Sequence, residues 1–379
     1  MALTTIPVEL VTLDDGVTIT VDDNSDTLTL TSTDADAASG PILNFYRNSS
    51  SAADADLLGK IDFTGKNDAG SPEDVTYIRM FGKVIDASDG TEDGQLHINT
   101  MVGGSITQRV TMSPTELIIN DASADLDFRV ESNGKQYMLF VDGGNDVVGI
   151  GTSVPASYNA NADNVVIYDS TGHTGITIAG DTDDYGNIYF AQGTSGSDAY
   201  RGYIQYGHSA VSDSTYRDKM TFGTATLERL IIDGSGHVTM PAQPAFSASV
   251  ASTQSNLATG QNVDIVFGTE IYDVGSNFAS NTFTAPVAGK YQLSYFVRLD
   301  AIDTAASYYY LMLKTTNRNY SPIYAGTTFG AADPTYMSLT FSILADMDAN
   351  DTAKVTFDQT AGTSQVDVAD GNFTGILIA

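Results

Sequence analysis

The strongest constraint on this chain is the brevity of its apolar runs. Through the first third they come at 17–21, 27–31, 42–46, 60–63, 77–81, 96–98, 109–112 and 117–119, and each is closed by Asp, Gly, Ser or Asn. Apolar and polar residues alternate within them at the period of a β-strand, and no helical period competes. Strands this short expose a narrow apolar stripe and leave rows of N–H and C=O groups at their edges that one chain cannot satisfy alone. Three copies wound together would bury the stripes on a common axis and pair the edges between chains. The expectation is an all-β fold with elongated, trimeric β-shaft modules.

Composition agrees. A chain of 379 residues has room for two or three modules, and 42% hydrophobic with 9% aromatic residues belongs to a folded protein. The 35 Gly and 10 Pro are spread as short punctuation, which suits many turns between short strands. A formal charge of −30 with only 17 Lys and Arg makes nucleic acid a poor partner. The acidity has two readings. Scattered carboxylates make a solvated, salt-adapted surface. Alternatively, turns at Asp181, Asp183 and Asp184, and at Asp346, Asp348, Asn350 and Asp351, offer hard oxygen ligands to Ca²⁺, although neither completes a calcium-loop motif. There are no cysteines, so packing alone must hold the fold. Residues 1–13 have no basic start and no run approaches the ~18 apolar residues of a membrane span. This suggests a soluble protein, not a membrane protein, that leaves its cell by lysis or inside a particle.

Residues 1–15 are a mildly apolar lead-in, either a frayed terminus or a peptide that orders against a larger assembly. The first module covers 16–125, a connecting segment 126–155, and a second module 156–241, with runs at 165–167, 175–178, 187–190, 202–206, 219–222, 229–232 and 238–240. The second set echoes the first: Ile61-Asp62-Phe63 matches Ile188-Tyr189-Phe190, and the run from Gln108 to Met112 matches that from Glu228 to Ile232. The likeness is loose, so these are two related modules and not a regular solenoid.

The last part, 242–379, has a different character. In 282–299 two strand-like runs flank a Pro286/Gly289 turn, and Tyr291, Leu293, Tyr295, Val297 and Leu299 then fall on one face, as in a sandwich strand. Further runs lie at 244–248, 265–267, 277–281, 308–313, 339–344, 353–357 and 373–377. Alternation in 308–313 places Tyr308 and Tyr310 inside and Tyr309 outside.

Three motifs in order, F-x-A from Phe246, F-T-x-P-x-x-G-x-Y from Phe283 to Tyr291 and F-x-G-x-L from Phe373, resemble the globular head of complement's first component and its relative tumour necrosis factor. The resemblance covers about 244–379. It implies a C-terminal jelly-roll β-sandwich of ten strands that works as a tight trimer, with the last strand near the threefold axis, and that binds partners without catalysis. The segment 125–155, with D-F-R-V at 127–130, F-V-D-G at 140–143, V-G-I-G-T at 148–152 and Pro155, resembles a stretch common in bacteriophage tail-fibre and related virion proteins. Residues 233–241 look like a degraded second copy. That resemblance implies a trimeric shaft.

Catalytic signatures are missing. None of the Gly-Lys pairs at 59, 65, 82, 134 and 289 is followed by Ser or Thr, Gly149 and Gly151 lack a third glycine, and no Gly-x-Ser-x-Gly occurs. His97, His173, His208 and His237 are far apart and read as packing residues. Pairs of carboxylates for sugar hydrolysis are decided by separation in space, which sequence does not show. A binding surface is the better reading. Segment 317–335 is long, polar and aromatic, and Arg318, Tyr320, Tyr324 and Phe329 are its receptor-contact candidates; an ordinary ordered loop is the alternative.

The expectation is therefore a homotrimeric phage virion (tail) fibre, not an enzyme and without an organic cofactor. Its N-terminus would meet other virion proteins, and three heads would bind a host-surface glycan or outer-membrane protein with avidity. It would be assembled in the host cytoplasm and act on the extracellular particle. Two other readings stand: a structural or decoration fibre of capsid or tail, and a polysaccharide-cleaving spike.

Overall fold

The punctuating residues are where the chain reverses. In the computed structural model, which describes residues 16–379, almost every strand pairs antiparallel with a neighbour, and the chain divides into two compact units after Ile176. The lead-in 1–15 lies outside the described residues.

In the first unit β1 (Leu57–Lys66), β2 (Asp74–Asp86), β3 (Asp93–Val102), β4 (Ser105–Met112) and β5 (Leu117–Ile119) form one meandering five-stranded sheet. A four-stranded sheet follows, from β6 (Phe128–Val130), β7 (Leu139–Asp142), β8 (Val147–Ile150) and β9 (Val165–Ile167). Here β9, expected to open the second module, pairs parallel with β8.

The second unit opens with the same design: β10 (Tyr185–Phe190), β11 (Gly202–Gly207), β12 (Lys219–Thr224), β13 (Leu227–Ile232) and β14 (Val238–Thr239) make another five-stranded meander. The two matched stretches fall on the first and fourth strands of both sheets, and in each the fourth-strand arginine reaches a threonine on the third. Arg109 Nε donates to Thr100 Oγ1 at 2.9 Å, and Arg229 Nε to Thr224 Oγ1 at 3.1 Å. The turn between third and fourth strands is also shared. Val102 pairs with Ser105 around Gly103 (φ 54°) and Gly104 (φ 84°), and Thr224 pairs with Leu227 around Ala225 (φ 51°) and Thr226 (φ 66°). Both loops need the left-handed conformation at two positions, which glycine adopts freely and a β-branched residue does not.

The rest of the second unit is a two-sheet sandwich. Its strands are β15 (Ala245–Ser249), β16 (Val263–Asp264), β17 (Thr269–Val274), β18 (Phe278–Ala279), β19 (Thr282–Thr284), β20 (Gly289–Asp300), β21 (Tyr308–Thr315), β22 (Asn319–Tyr320), β23 (Ile323–Ala325), β24 (Tyr336–Met347), β25 (Thr352–Thr360) and β26 (Asp367–Leu377). One sheet runs β17-β15-β26-β20-β24; the other runs β18-β19-β25-β21-β22, with β16 on β25 and β23 on β21. The chain changes sheet at most connections, as in a jelly roll. The expected face of β20 is the buried one: Tyr291, Leu293, Tyr295, Val297 and Leu299 are all in the core. The three motifs meet there. The Phe246 ring stacks on Phe283 at 4.7 Å and meets Phe373 edge-on at 4.9 Å. Gly375 lies opposite Phe246 in the sheet, where a Cβ would come within 2.4 Å of the Phe246 ring.

The head run 265–267 falls between β16 and β17, and in the two modules four expected runs, 17–21, 27–31, 42–46 and 175–178, form no strand. A strand needs a hydrogen-bonded neighbour, and among the described residues none of these four has one. The opposite error appears in β1 to β4, which run 8 to 13 residues because Thr, Asn, Gln and charged residues extend them on the other face. The chain thus pairs most of its own strand edges, and what it leaves unmet is an apolar face.

Candidate functional site

Each five-stranded sheet has one apolar and one polar side. In the first, Ile61, Met80, Ile98, Val110 and Ile119 stand side by side across all five strands. Ile61 and Ile119 are exposed, as are Phe63, Ile78, Leu96, Met112 and Leu117 on the same face. On the other side most polar groups are paired, the buried Asn99 Oδ1 being an exception. Arg79 donates Nε and Nη2 to the Asp62 carboxylate at 2.7 and 2.9 Å, holding that carboxyl below its ordinary pKa. The buried His97 stacks on Phe81 at 4.6 Å with Nδ1 3.0 Å from Gln108 Oε1. In the second sheet the apolar row is Ile188, Ile204, Phe222 and Leu230, flanked by Phe190 and Val238; Ile188, Phe190, Phe222 and Val238 are exposed. An apolar sheet face must be buried against something, and a single layer offers nothing.

The polar side of the second sheet carries a feature that sequence reading missed. Tyr189 pairs with Tyr203, Tyr203 with Gly223 and Gly223 with Glu228 across four strands. Tyr200 and Tyr216 arrive from short 3-10 turns and complete a groove of about 620 Å³ with Gln205 and Arg229. The cross-strand aromatic pair was legible only once register was known.

The head candidates divide into two groups. Segment 317–335 is not a free loop, since β22 and β23 both pair with β21. Tyr309, expected outside, is fully buried, and Tyr308 is the exposed one. Leu311 and Leu313 share Tyr309's parity and fix the inner face. The Tyr309 hydroxyl donates to Asp303 O at 2.7 Å, and burial pushes its pKa up to about 12. Phe329 meets the Tyr309 ring edge-on at 5.4 Å and Tyr324 at 6.3 Å. Tyr320 lies beside Leu313, four residues along β21 from Tyr309, roughly 13 Å away along the strand. Tyr320, Tyr324 and Phe329 are half-buried against the core, and Arg318 alone of the four is exposed.

Of the four head residues expected to ligate Ca²⁺, Asp346 and Asp351 have other partners. Asp346 pairs with Lys290, which lowers its carboxyl pKa. Asp351 is buried and accepts from Asn317 Nδ2 at 2.6 Å and Asp348 N at 2.8 Å. Asn350 turns the chain at φ 73°, and Asp348 stands exposed. At the other acidic turn, Asp181 accepts from Thr182 N at 2.6 Å. Among the described residues no three His, Cys, Asp or Glu side chains gather around an ion position. No helix among them is long and apolar enough to cross a membrane.

These features define an all-β protein of single-layer sheets followed by a jelly-roll sandwich. No family model and no curated protein matches the chain. Among solved structures, the globular domain of zebrafish complement 1qA protein is similar at 19% identity, covering 36% of this chain and 98% of that one with a TM-score of 0.27. Murine APRIL is similar at 10% identity, covering 36% and 99% at 0.27. The PRD1 vertex protein P5 is similar at 16% identity, covering 38% and 77% at 0.27.

Proposed function

We propose that the chain is a homotrimeric bacteriophage virion fibre that attaches through its N-terminus and binds the host surface from its distal part. The observation that carries this reading is the uncovered apolar face repeated in both five-stranded sheets. Burying the exposed half of one such side chain is worth roughly 1 kcal/mol, so about a dozen of them, shared with two other copies, supply a strong drive to assemble. The stretch from Asp127 to Pro155 that resembles tail-fibre sequences supports the virion context. Binding, with avidity from three copies, is the mechanism. The test is sedimentation of the purified chain, followed by labelled protein on host cells and antibody labelling of particles in the electron microscope. Three chains of 40.1 kDa give about 120 kDa, and a lone 40.1 kDa species would overturn the assembly.

A second reading, a structural or decoration fibre without receptor recognition, draws support from one finding. Tyr320, Tyr324 and Phe329 pack on the head core and leave Arg318 as the exposed member of the expected contact set. A trimer that decorates particles yet fails to bind host cells would favour it.

A further inference from the structure

The polar side of the second sheet is built to hold a ligand, and we infer that its tyrosine groove binds a neutral saccharide. Tyr203 forms the floor. Its ring lies over Gly223 of the next strand, where a Cβ would sit 2.1 Å from Cε1, so only a residue without a side chain leaves room for it. Tyr189 and Tyr200 make one wall, rings 6.0 Å apart and tilted 47°, and both are exposed. Tyr216 and Glu228 make the other end. The Glu228 carboxylate beside the Tyr216 phenol raises its pKa, while burial and then the same carboxylate raise that of Tyr203. Both phenols thus stay protonated donors through the neutral range. Arg229 is fixed by its bond to Thr224.

Aromatic rings beside a carboxylate match the chemistry of a sugar ring. Its C–H faces stack on tyrosine, and its vicinal hydroxyls exchange hydrogen bonds with charged forks. The volume suits a few sugar units. A chain of net charge −30 repels polyanions, which disfavours acidic polysaccharide and nucleic acid. The inference rests on the proposed assembly in one respect: copies joined through the Ile188 and Phe222 face leave the groove, on the opposite face, open to solvent.

The test uses the full chain on an array of neutral and acidic glycans, with solution binding to each hit read by tyrosine fluorescence, since the chain has 20 Tyr and no Trp. Neutral glycans should bind. Tyr189→Ala, at an exposed position, and Glu228→Gln should each weaken that binding about tenfold or more, with sedimentation unchanged. Retention of acidic glycans only, of none, or binding indifferent to both variants overturns the inference. Sedimentation separates the two ideas: a monomer that binds sugar through the groove refutes the assembly alone, and a trimer that binds none refutes the groove alone.

Discussion

Ile188 and Tyr189 are neighbours on β10 whose side chains point to opposite faces of the second sheet, and they are 46% and 51% exposed in a single chain. A monomer should therefore treat Ile188→Glu and Tyr189→Glu alike, each costing up to ~1 kcal/mol in strand preference. A trimer closed on the apolar face should not. Losing the half of Ile188 that assembly would bury costs roughly 1 kcal/mol per chain. Burying a carboxylate costs several kcal/mol per ion. Three carboxylates ~10 Å apart at an effective dielectric of ~20 repel by roughly 1.7 kcal/mol per pair. The total is on the order of 10 kcal/mol or more per trimer, enough to dissociate it at micromolar concentration. Tyr189→Glu adds the same charge on the solvated side, where salt screens it within ~10 Å. Sedimentation velocity at neutral pH should give a monomer for Ile188→Glu and a trimer for Tyr189→Glu. Lowering the pH toward 4 should restore the first as the carboxyl takes up a proton. Equal behaviour of the two variants would refute the assignment of faces.

Three further outcomes follow from single features. Buried Asp303 accepts from the backbone N–H groups of Ser364, Thr363 and Ala305, which depress its pKa, so its contribution to stability is complete above the unfolded value near 3.9 and lost as pH falls through the folded one. Asp303→Asn should cost the head about 2–4 kcal/mol, read by urea unfolding, and flatten the acid limb of its melting curve. Replacing Ala225-Thr226 by Asn-Gly relieves two left-handed non-glycine residues and should stabilise the second unit by about 1–2 kcal/mol in thermal melts followed by circular dichroism. Three chains at −30 each place −90 on a trimer, so its melting temperature should rise between 10 and 500 mM salt, and identical melts would argue against self-repulsion.

The parts legible in the sequence were those where one periodicity had a single solution. On β20 only one parity is apolar throughout, and its inner face follows from Tyr291 to Leu299 without knowledge of any partner. On β21 the residues of both parities are apolar or aromatic, Tyr308, Tyr310 and Met312 against Tyr309, Leu311 and Leu313, and the choice fell the wrong way. Runs such as 17–21 and 175–178 satisfy every local rule for a strand, but pairing is a tertiary property that local pattern does not contain. Tyr200 and Tyr216 were invisible as a site for a related reason. They sit on turns either side of β11, and only the meander brings them over Tyr203.

The repeat of one sheet in two modules separates what the proposed assembly would demand from what it would leave free. Both copies keep an apolar row across the strands, the arginine on the fourth strand and the two-residue left-handed turn, although the second fills that turn with Ala225 and Thr226 at a cost in strain. Their polar sides share almost nothing. The first carries the Arg79 and Asp62 pair and the stack of His97 on Phe81, beside a smaller groove where Asn99 Oδ1 has no partner. The second turns tyrosine rings and Glu228 toward an open groove. A face buried in the proposed trimer would have to fit two other copies and would tolerate little change. The opposite face would answer only to the proposed ligand, and it is the side on which the two modules differ.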